Sequence, residues 1–240
     1  MKRLKTACIS NTNLTLFTSV AETVDHILAM GFDHFYNAIA INPEKIMQMR
    51  ADNELLVASQ LASFNYVDGA GVSVMLSCRT GRRVARIPGI ELWTELMLQT
   101  VPDQIPVFIL GSAAQVNSRT VQRLVDDMTV NVVGSCDGFS FPPEVMIDLI
   151  RNSGAKIVVI ALGSPKQELF MEQCRNAGLT GFFMGVGGTF DVFSGTAKRA
   201  PKALRNLGLE WLYRVVKQPS RLGRLRHHVA YIGACLRGKL

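Results

Sequence analysis

Gly185-Val186-Gly187-Gly188-Thr189-Phe190-Asp191-Val192-Phe193-Ser194-Gly195, with Lys198-Arg199-Ala200-Pro201 just behind it, joins an apolar run to a glycine cluster and a change of charge. Phe182, Phe183, Met184 and Val186 read as the end of a buried strand. Glycine lets the backbone approach a ligand closely and reach positive φ. Asp191 is the first acidic side chain after the turn, and Lys198 and Arg199 are the first cations. A strand end, a glycine turn, one carboxylate and a cation pair suit a phosphate-bearing ligand at the carboxyl edge of an α/β sheet. Gly187, Gly188 and Asp191 are its candidate binding positions. A tight strand-to-helix turn with solvated charges fits the same residues, because short glycine motifs are common.

Upstream of this stretch the pattern is regular. Pro106 to Leu110, Val130 to Ser135 and Lys156 to Ala161 are short apolar runs that predict strands. Ala113 to Asp127, Pro143 to Ser153 and Lys166 to Asn176 between them predict helices. The first half alternates less evenly. Helices are predicted from about Ser19 to Met30, over Glu44 to Arg50 behind Pro43, over Asp52 to Ser63, over Val72 to Cys78 and over Ile90 to Leu98. Strands are predicted at Phe35 to Ile41 and at Asn65 to Val67. Strands separated by helical stretches indicate βαβ units. The expected fold is α/β, a mainly parallel, Rossmann-like sheet flanked by helices, with a basic helical C-terminal appendage. The expected division is a core over 1–195 and an appendage over 196–240.

The chain has 240 residues, 48% of them hydrophobic, enough for a sizeable core. No apolar run reaches the roughly 18 to 20 residues of a membrane span. Met1 to Ser10 has no signal-peptide core, so a cytoplasmic protein is expected. The five cysteines are scattered without a C-x-x-C, which argues for inert thiols over disulfides or zinc. The net charge is +7, but Lys198 to Leu240 alone carries +10. Such asymmetry points to an anionic partner: nucleic acid, a membrane surface or a phosphorylated substrate. In that tail Arg214, Arg221 and Arg224 alternate with apolar residues in the manner of amphipathic helices. Their basic face could lie on an anionic bilayer with Trp211, Tyr213 and Tyr231 at headgroup depth, or they could be ordinary docked helices with a solvated basic face.

Asp68 ends a strand before Gly69-Ala70-Gly71. A carboxylate there can act as general base on a hydroxyl nucleophile, or simply form the turn. Gly163-Ser164-Pro165-Lys166-Gln167-Glu168 offers helix-start amides for phosphate, and Gln167 could bond a sugar or base edge. Arg86 follows a basic loop and could pair with a diphosphate, or be a surface arginine. His26 and His34 lie far from these motifs. No Ser/His/Asp pattern, P-loop or D-x-D signature is present.

Asn42-Pro43-Glu44, Tyr66-Val67-Asp68-Gly69-Ala70-Gly71, Arg86-Ile87-Pro88-Gly89, Leu162-Gly163-Ser164-Pro165-Lys166-Gln167-Glu168 and Gly185-Val186-Gly187-Gly188-Thr189-Phe190-Asp191 occur in one order. Lys198-Arg199-Ala200-Pro201, Leu209-Glu210-Trp211-Leu212-Tyr213-Arg214 and Gln218-Pro219-Ser220-Arg221 complete it. Together they resemble the WecG/TagA/CpsF family of bacterial glycosyltransferases, with the strongest likeness to its WecG branch. That branch moves N-acetylmannosaminuronic acid from its UDP donor to undecaprenyl-diphosphate-N-acetylglucosamine in enterobacterial common antigen synthesis. The resemblance implies an inverting transfer without metal or cofactor, peripheral on the inner face of the cytoplasmic membrane. It implies Asp68 as base, and Asn42, Arg86 and Gln167 at the active site. It implies that Arg214, Arg221 and Arg224 of the appendage meet the membrane and the diphosphate-bearing substrates, and that oligomers form. Two positions depart from the pattern. The teichoic-acid branch has a Thr where Ala40 stands, so no hydroxyl role carries over, and Glu91 stands where Asp is frequent. Lys45 either pairs with a uronate carboxylate or is a surface lysine.

Three functional classes remain open to the sequence. One is a UDP-sugar transferase acting on a polyprenyl-diphosphate acceptor, with a neutral sugar as the alternative donor group. The second is a basic nucleic-acid-binding protein, which leaves the two glycine motifs unexplained. The third is a membrane-binding protein without catalysis.

Overall fold

The computed structural model describes residues 4–217 and 219–240; the side chains of Arg214 and of residues 219–221 lie outside that description. The strands are β1 (Lys5–Ile9), β2 (Thr12–Leu16), β3 (Phe35–Ile41), β4 (Phe64–Val67), β5 (Val107–Gly111), β6 (Val132–Cys136), β7 (Ile157–Ala161) and β8 (Gly181–Gly185). They form one sheet in the order β1-β2-β4-β3-β8-β7-β5-β6. Among the described residues only the β1–β2 pair is antiparallel. Every residue of β5, β7 and β8 is buried. Helices cover both faces of such strands, which is why they read as unbroken apolar runs.

The helices are α1 (Val20–Met30), α2 (Pro43–Met49), α3 (Asn53–Leu61), α4 (Ala70–Thr80), α5 (Gly89–Thr100), α6 (Ala114–Asp126), α7 (Pro143–Ser153), α8 (Lys166–Asn176) and α9 (Thr189–Phe193). The tail adds α10 (Lys202–Asn206), α11 (Glu210–Lys217), a 3-10 segment (Pro219–Arg224) and α12 (Leu225–Leu236). The side-chain alternation of strands sorts the core into two layers. Phe183, Val158 and Ile160 pack with α2, α3, α4, α7 and α8 on one face. Phe182, Val159 and Ile109 pack with α1, α5, α6 and α9 on the other. Local signals set the helix starts. Ser19 Oγ accepts the Glu22 amide at the start of α1, and Asn42 Oδ1 accepts the Lys45 amide at the start of α2.

The chain leaves β3 for β4 on one side and reaches β8 from β7 on the other. The β3–β8 junction is therefore a topological switch point, where α/β sheets open a crevice beyond their carboxyl ends.

The structure departs from the sequence expectation at one place and decides between open readings at two others. The β1–β2 hairpin at the sheet edge was not expected, and α9 directly after the glycine turn is the helix that the strand-to-helix alternative required. Tyr231, offered as a headgroup-depth residue or as part of a docked helix, is 3% exposed in the core beneath α12, which fits the docked helix and not the headgroup, and its hydroxyl donates to Gly71 O at 3.3 Å. Burial also divides the thiols. Cys136 and Cys174 are buried, and that burial pushes them up to about 11 and about 12 respectively, whereas Cys8 and Cys78 are exposed. The tail lies against the core: α12 packs on α2, and Arg50 and Arg79 donate to the carbonyls of Lys239 and Leu240 at 2.5 and 3.0 Å.

Candidate active site

A cleft of about 380 Å³ opens beyond the carboxyl ends of β3, β4, β7 and β8. Asn42, Asp68, Gly163 and the Gly185–Gly188 segment line it from the four strand ends, Arg86 from the loop before α5 and Gly89 from the first position of that helix. The tail closes the far wall with Glu210, Trp211, Val215, Arg224, His228 and Ile232. Trp211 stacks on His228 with centroids 4.3 Å apart and rings inclined by 19°.

Asp68 is held by backbone on two sides. Its amide donates to Ile41 O at 3.0 Å, which ties it to the end of β3. Its Oδ1 accepts the Gly89 amide at 3.0 Å, at the start of α5. A carboxylate at a helix N-terminus meets donated N–H groups and a favourable dipole. The loop carrying Arg86 is brought alongside by the Ile87 amide, which donates to Val67 O at 2.7 Å. Tyr66 precedes Asp68 by two residues, on the same strand face, is 1% exposed and lines the cleft. Burial first, then the charges of Asp68 and Glu168, push its phenol well above its ordinary value, so it stays a neutral hydroxyl.

The glycine turn is built against Gln167. Gly187 has φ +51°, a conformation glycine adopts without strain. Its amide donates to Gln167 Oε1 at 3.0 Å. A Cβ on Gly185 would stand 2.4 Å from Gln167 Nε2, so only glycine lets this side chain cross the strand end. Gln167 Nε2 in turn donates to Glu168 Oε1 at 2.9 Å. That oxygen is also 2.5 Å from Lys45 Nζ, in an ion pair whose side chains are 5% and 1% exposed. Lys45 is thus neither a surface lysine nor an unengaged partner for a uronate. It is the buried counter-ion of a glutamate 123 positions away. Gln167 lines the cleft, but its oxygen and one of its N–H groups are already engaged inside the protein.

Arg86 is neither fully exposed nor unengaged. Its guanidinium is 3.8 Å from Glu210 Oε2 and donates to Arg205 O at 3.4 Å. Arg199 lies 3.9 Å from the same glutamate and 2.6 Å from Glu91, which is also 3.7 Å from Arg205. Glu91 therefore anchors two tail arginines. Arg224 is 3.6 Å from Glu44 across the mouth of the cleft. The Arg86 pair is long and its side chains are 21% and 15% exposed, a contact that an incoming anion can replace.

Of the positions singled out in the sequence, Asn42, Asp68, Arg86, Gln167, Gly187, Gly188 and Arg224 meet at this cleft. Asp191 does not: it sits in the first turn of α9, its carbonyl bonded to the Ala197 amide, and is absent from the cleft wall. The side chains of Arg214 and Arg221 lie outside the description. Glu210, His228 and Ile232 were not singled out, and Trp211 was offered as a membrane-surface residue, not as part of the cleft. Their cue was the amphipathic pattern of the tail, which does not say which face turns inward. Among the described residues no three His, Cys, Asp or Glu side chains gather as metal ligands, and no helix is long and apolar enough to cross a membrane.

A switch-point cleft with a backbone-held carboxylate, a glycine turn and arginines has the groups that transfer from a phosphorylated donor would need. The model of the glycosyl transferase WecG/TagA/CpsF family matches residues 8–240, nearly the whole chain, and the protein belongs to that family of glycosyltransferases.

Proposed function

We propose that the enzyme transfers N-acetylmannosaminuronate from UDP to undecaprenyl-diphosphate-N-acetylglucosamine, with inversion and without metal, on the inner face of the bacterial cytoplasmic membrane. Asp68 takes the proton from the acceptor hydroxyl. That oxygen bonds to the anomeric carbon as the bond to the diphosphate oxygen breaks, and UDP leaves with the electron pair. Arg86 and the Gly188 amide face the charge that develops on the leaving group. The Gly187 amide cannot share this task, being committed to Gln167. The acceptor enters from the tail side, where Trp211, Val215 and Ile232 give the cleft an apolar wall.

The observation that carries this reading is the placing of Asp68 and the glycine turn in one cleft with arginines. The nucleic-acid reading has no use for that convergence. The reading of metal independence rests on the sequence, which has no D-x-D, and is tested by assay in EDTA. The donor is tested with a panel: UDP release with the lipid-diphosphate acceptor should be fastest with UDP-N-acetylmannosaminuronate. Faster release with UDP-N-acetylmannosamine or a UDP-glucose donor would reassign the sugar. Loss of activity in EDTA, restored by Mg²⁺ or Mn²⁺, would overturn the metal-free step.

A further inference from the structure

The buried Lys45–Glu168 pair takes no part in the transfer described above: Lys45 is part of the cleft lining, 4% exposed, and Glu168 is not. Gln167 is likewise 4% exposed and Glu168 1%. Placing two charges there is costly unless each is well partnered. Yet Glu168 Oε2 is buried and accepts no hydrogen bond among the described residues. Stability alone does not account for such a pair, since apolar residues of the same volume often serve as well.

Its effect on Gln167 does account for it. An ionised carboxylate has only acceptors, and a carboxamide has one accepting and one donating end. Facing Glu168 Oε1, Gln167 must present Nε2, as it does at 2.9 Å. Oε1 is then forced to the opposite side, where it receives the Gly187 amide at 3.0 Å. Lys45 Nζ, 2.5 Å from Glu168 Oε1, holds that oxygen in place through the ion pair. The chain of contacts starts on α2 behind β3, crosses α8 behind β7, and ends on the turn behind β8. It joins three of the four strand ends that form the cleft.

We infer that Lys45 and Glu168 are positioning residues that act through Gln167 to hold the Gly185–Gly188 turn in its diphosphate-binding shape. This rests on the reading that the turn receives the donor's diphosphate. The ion pair selects one of the two orientations of the Gln167 amide. That orientation fixes Gly187 at its positive φ and leaves Gly188 to face the ligand. Neither Lys45 nor Glu168 needs to touch the donor.

The test is calorimetric binding of UDP to the full chain, with steady-state kinetics beside it. Glu168→Gln keeps the shape but removes the charge, so either end of the Gln167 amide can face it. UDP affinity should fall about tenfold. The KM for the donor should rise, with kcat and the KM for the acceptor nearly unchanged. Gln167→Ala should weaken UDP by a similar factor, and the double variant should be no worse than the weaker single one, because the chain is already broken. Should Glu168→Gln fail to fold, Lys45→Met with Glu168→Met removes the pair without leaving a buried charge. Its melting temperature should stay near wild type while UDP affinity still falls. Wild-type UDP affinity in a folded pair variant, fold-losses that multiply in the double variant, or a fall in kcat with an unchanged donor KM would each overturn the inference. Absence of UDP binding by the wild-type enzyme would instead remove the donor reading, and the inference with it.

Discussion

Asp68 is placed by backbone, not by other side chains alone: its amide reaches Ile41 and its Oδ1 takes the Gly89 amide. A variant that keeps the side chain's shape should therefore keep the site's shape. Asp68→Asn should lower kcat by about 10²-fold or more, the usual size of a general-base contribution, while UDP binding stays close to wild type. Near-normal turnover in the folded variant would take Asp68 out of the proton transfer. At this scale the sequence was informative where chemistry and position coincide. Asp68, Arg86 and the glycines stand at strand ends or in the loops beside them, and α/β sheets deliver such positions to one edge. Lys45 was not legible, because its partner Glu168 is 123 positions away and nothing local marks a lysine for burial. Asp191 misled for the opposite reason. Its proximity to the glycines in sequence is real, but α9 begins at Thr189 and carries it off the cleft wall.

Among the elements, the parallel strands of the second half were the easiest to read, since burial on both faces removes polar residues from them. The β1 strand was missed because it is the sheet's edge: most of Lys5–Ile9 is exposed or half-buried, so its composition carries no apolar run. The tail helices were recognised as amphipathic, but their orientation was not, and Tyr231 shows why. An amphipathic pattern with aromatic residues fits a membrane surface and a docked helix equally well, and only the presence of α2 and Gly71 opposite decides. That contact carries a prediction. Removing a buried aromatic side chain costs about 3 kcal/mol or more, so Tyr231→Ala should unseat α12. Tyr231→Phe, which loses one hydrogen bond, should cost about 1 kcal/mol. Limited proteolysis of Tyr231→Ala should cut first within 196–240 and leave a resistant fragment ending near residue 195. Simultaneous digestion of the whole chain would mean that the tail is integral to a single cooperative unit, and the division at 195 would fall.

For the whole molecule, charge and apolar exposure coincide in the tail. Leu212, Val216, Leu222, Val229 and Leu236 are all exposed, Leu236 to 84%, in the segment that carries the +10 excess. The same segment forms the outer wall of the cleft. Seating it on an anionic leaflet would present the cleft to a lipid-linked acceptor. The two contributions differ in their response to salt. Each Lys or Arg near an anionic surface adds about 1 kcal/mol, and this is screened. Apolar insertion is not screened. Arg226 and Arg237 are exposed and lie off the cleft wall, as do Val229 and Leu236. Arg226→Glu with Arg237→Glu should weaken binding to phosphatidylserine-containing vesicles by at least about tenfold at low salt, with the gap closing as salt rises. Val229→Ser with Leu236→Ser should weaken it by a factor that salt does not change. Both variants should bind UDP in solution as the wild type does, because neither alters the donor side of the cleft. Vesicle binding of both at wild-type strength across the salt series would make the basic excess a solvated face and remove the membrane from the mechanism.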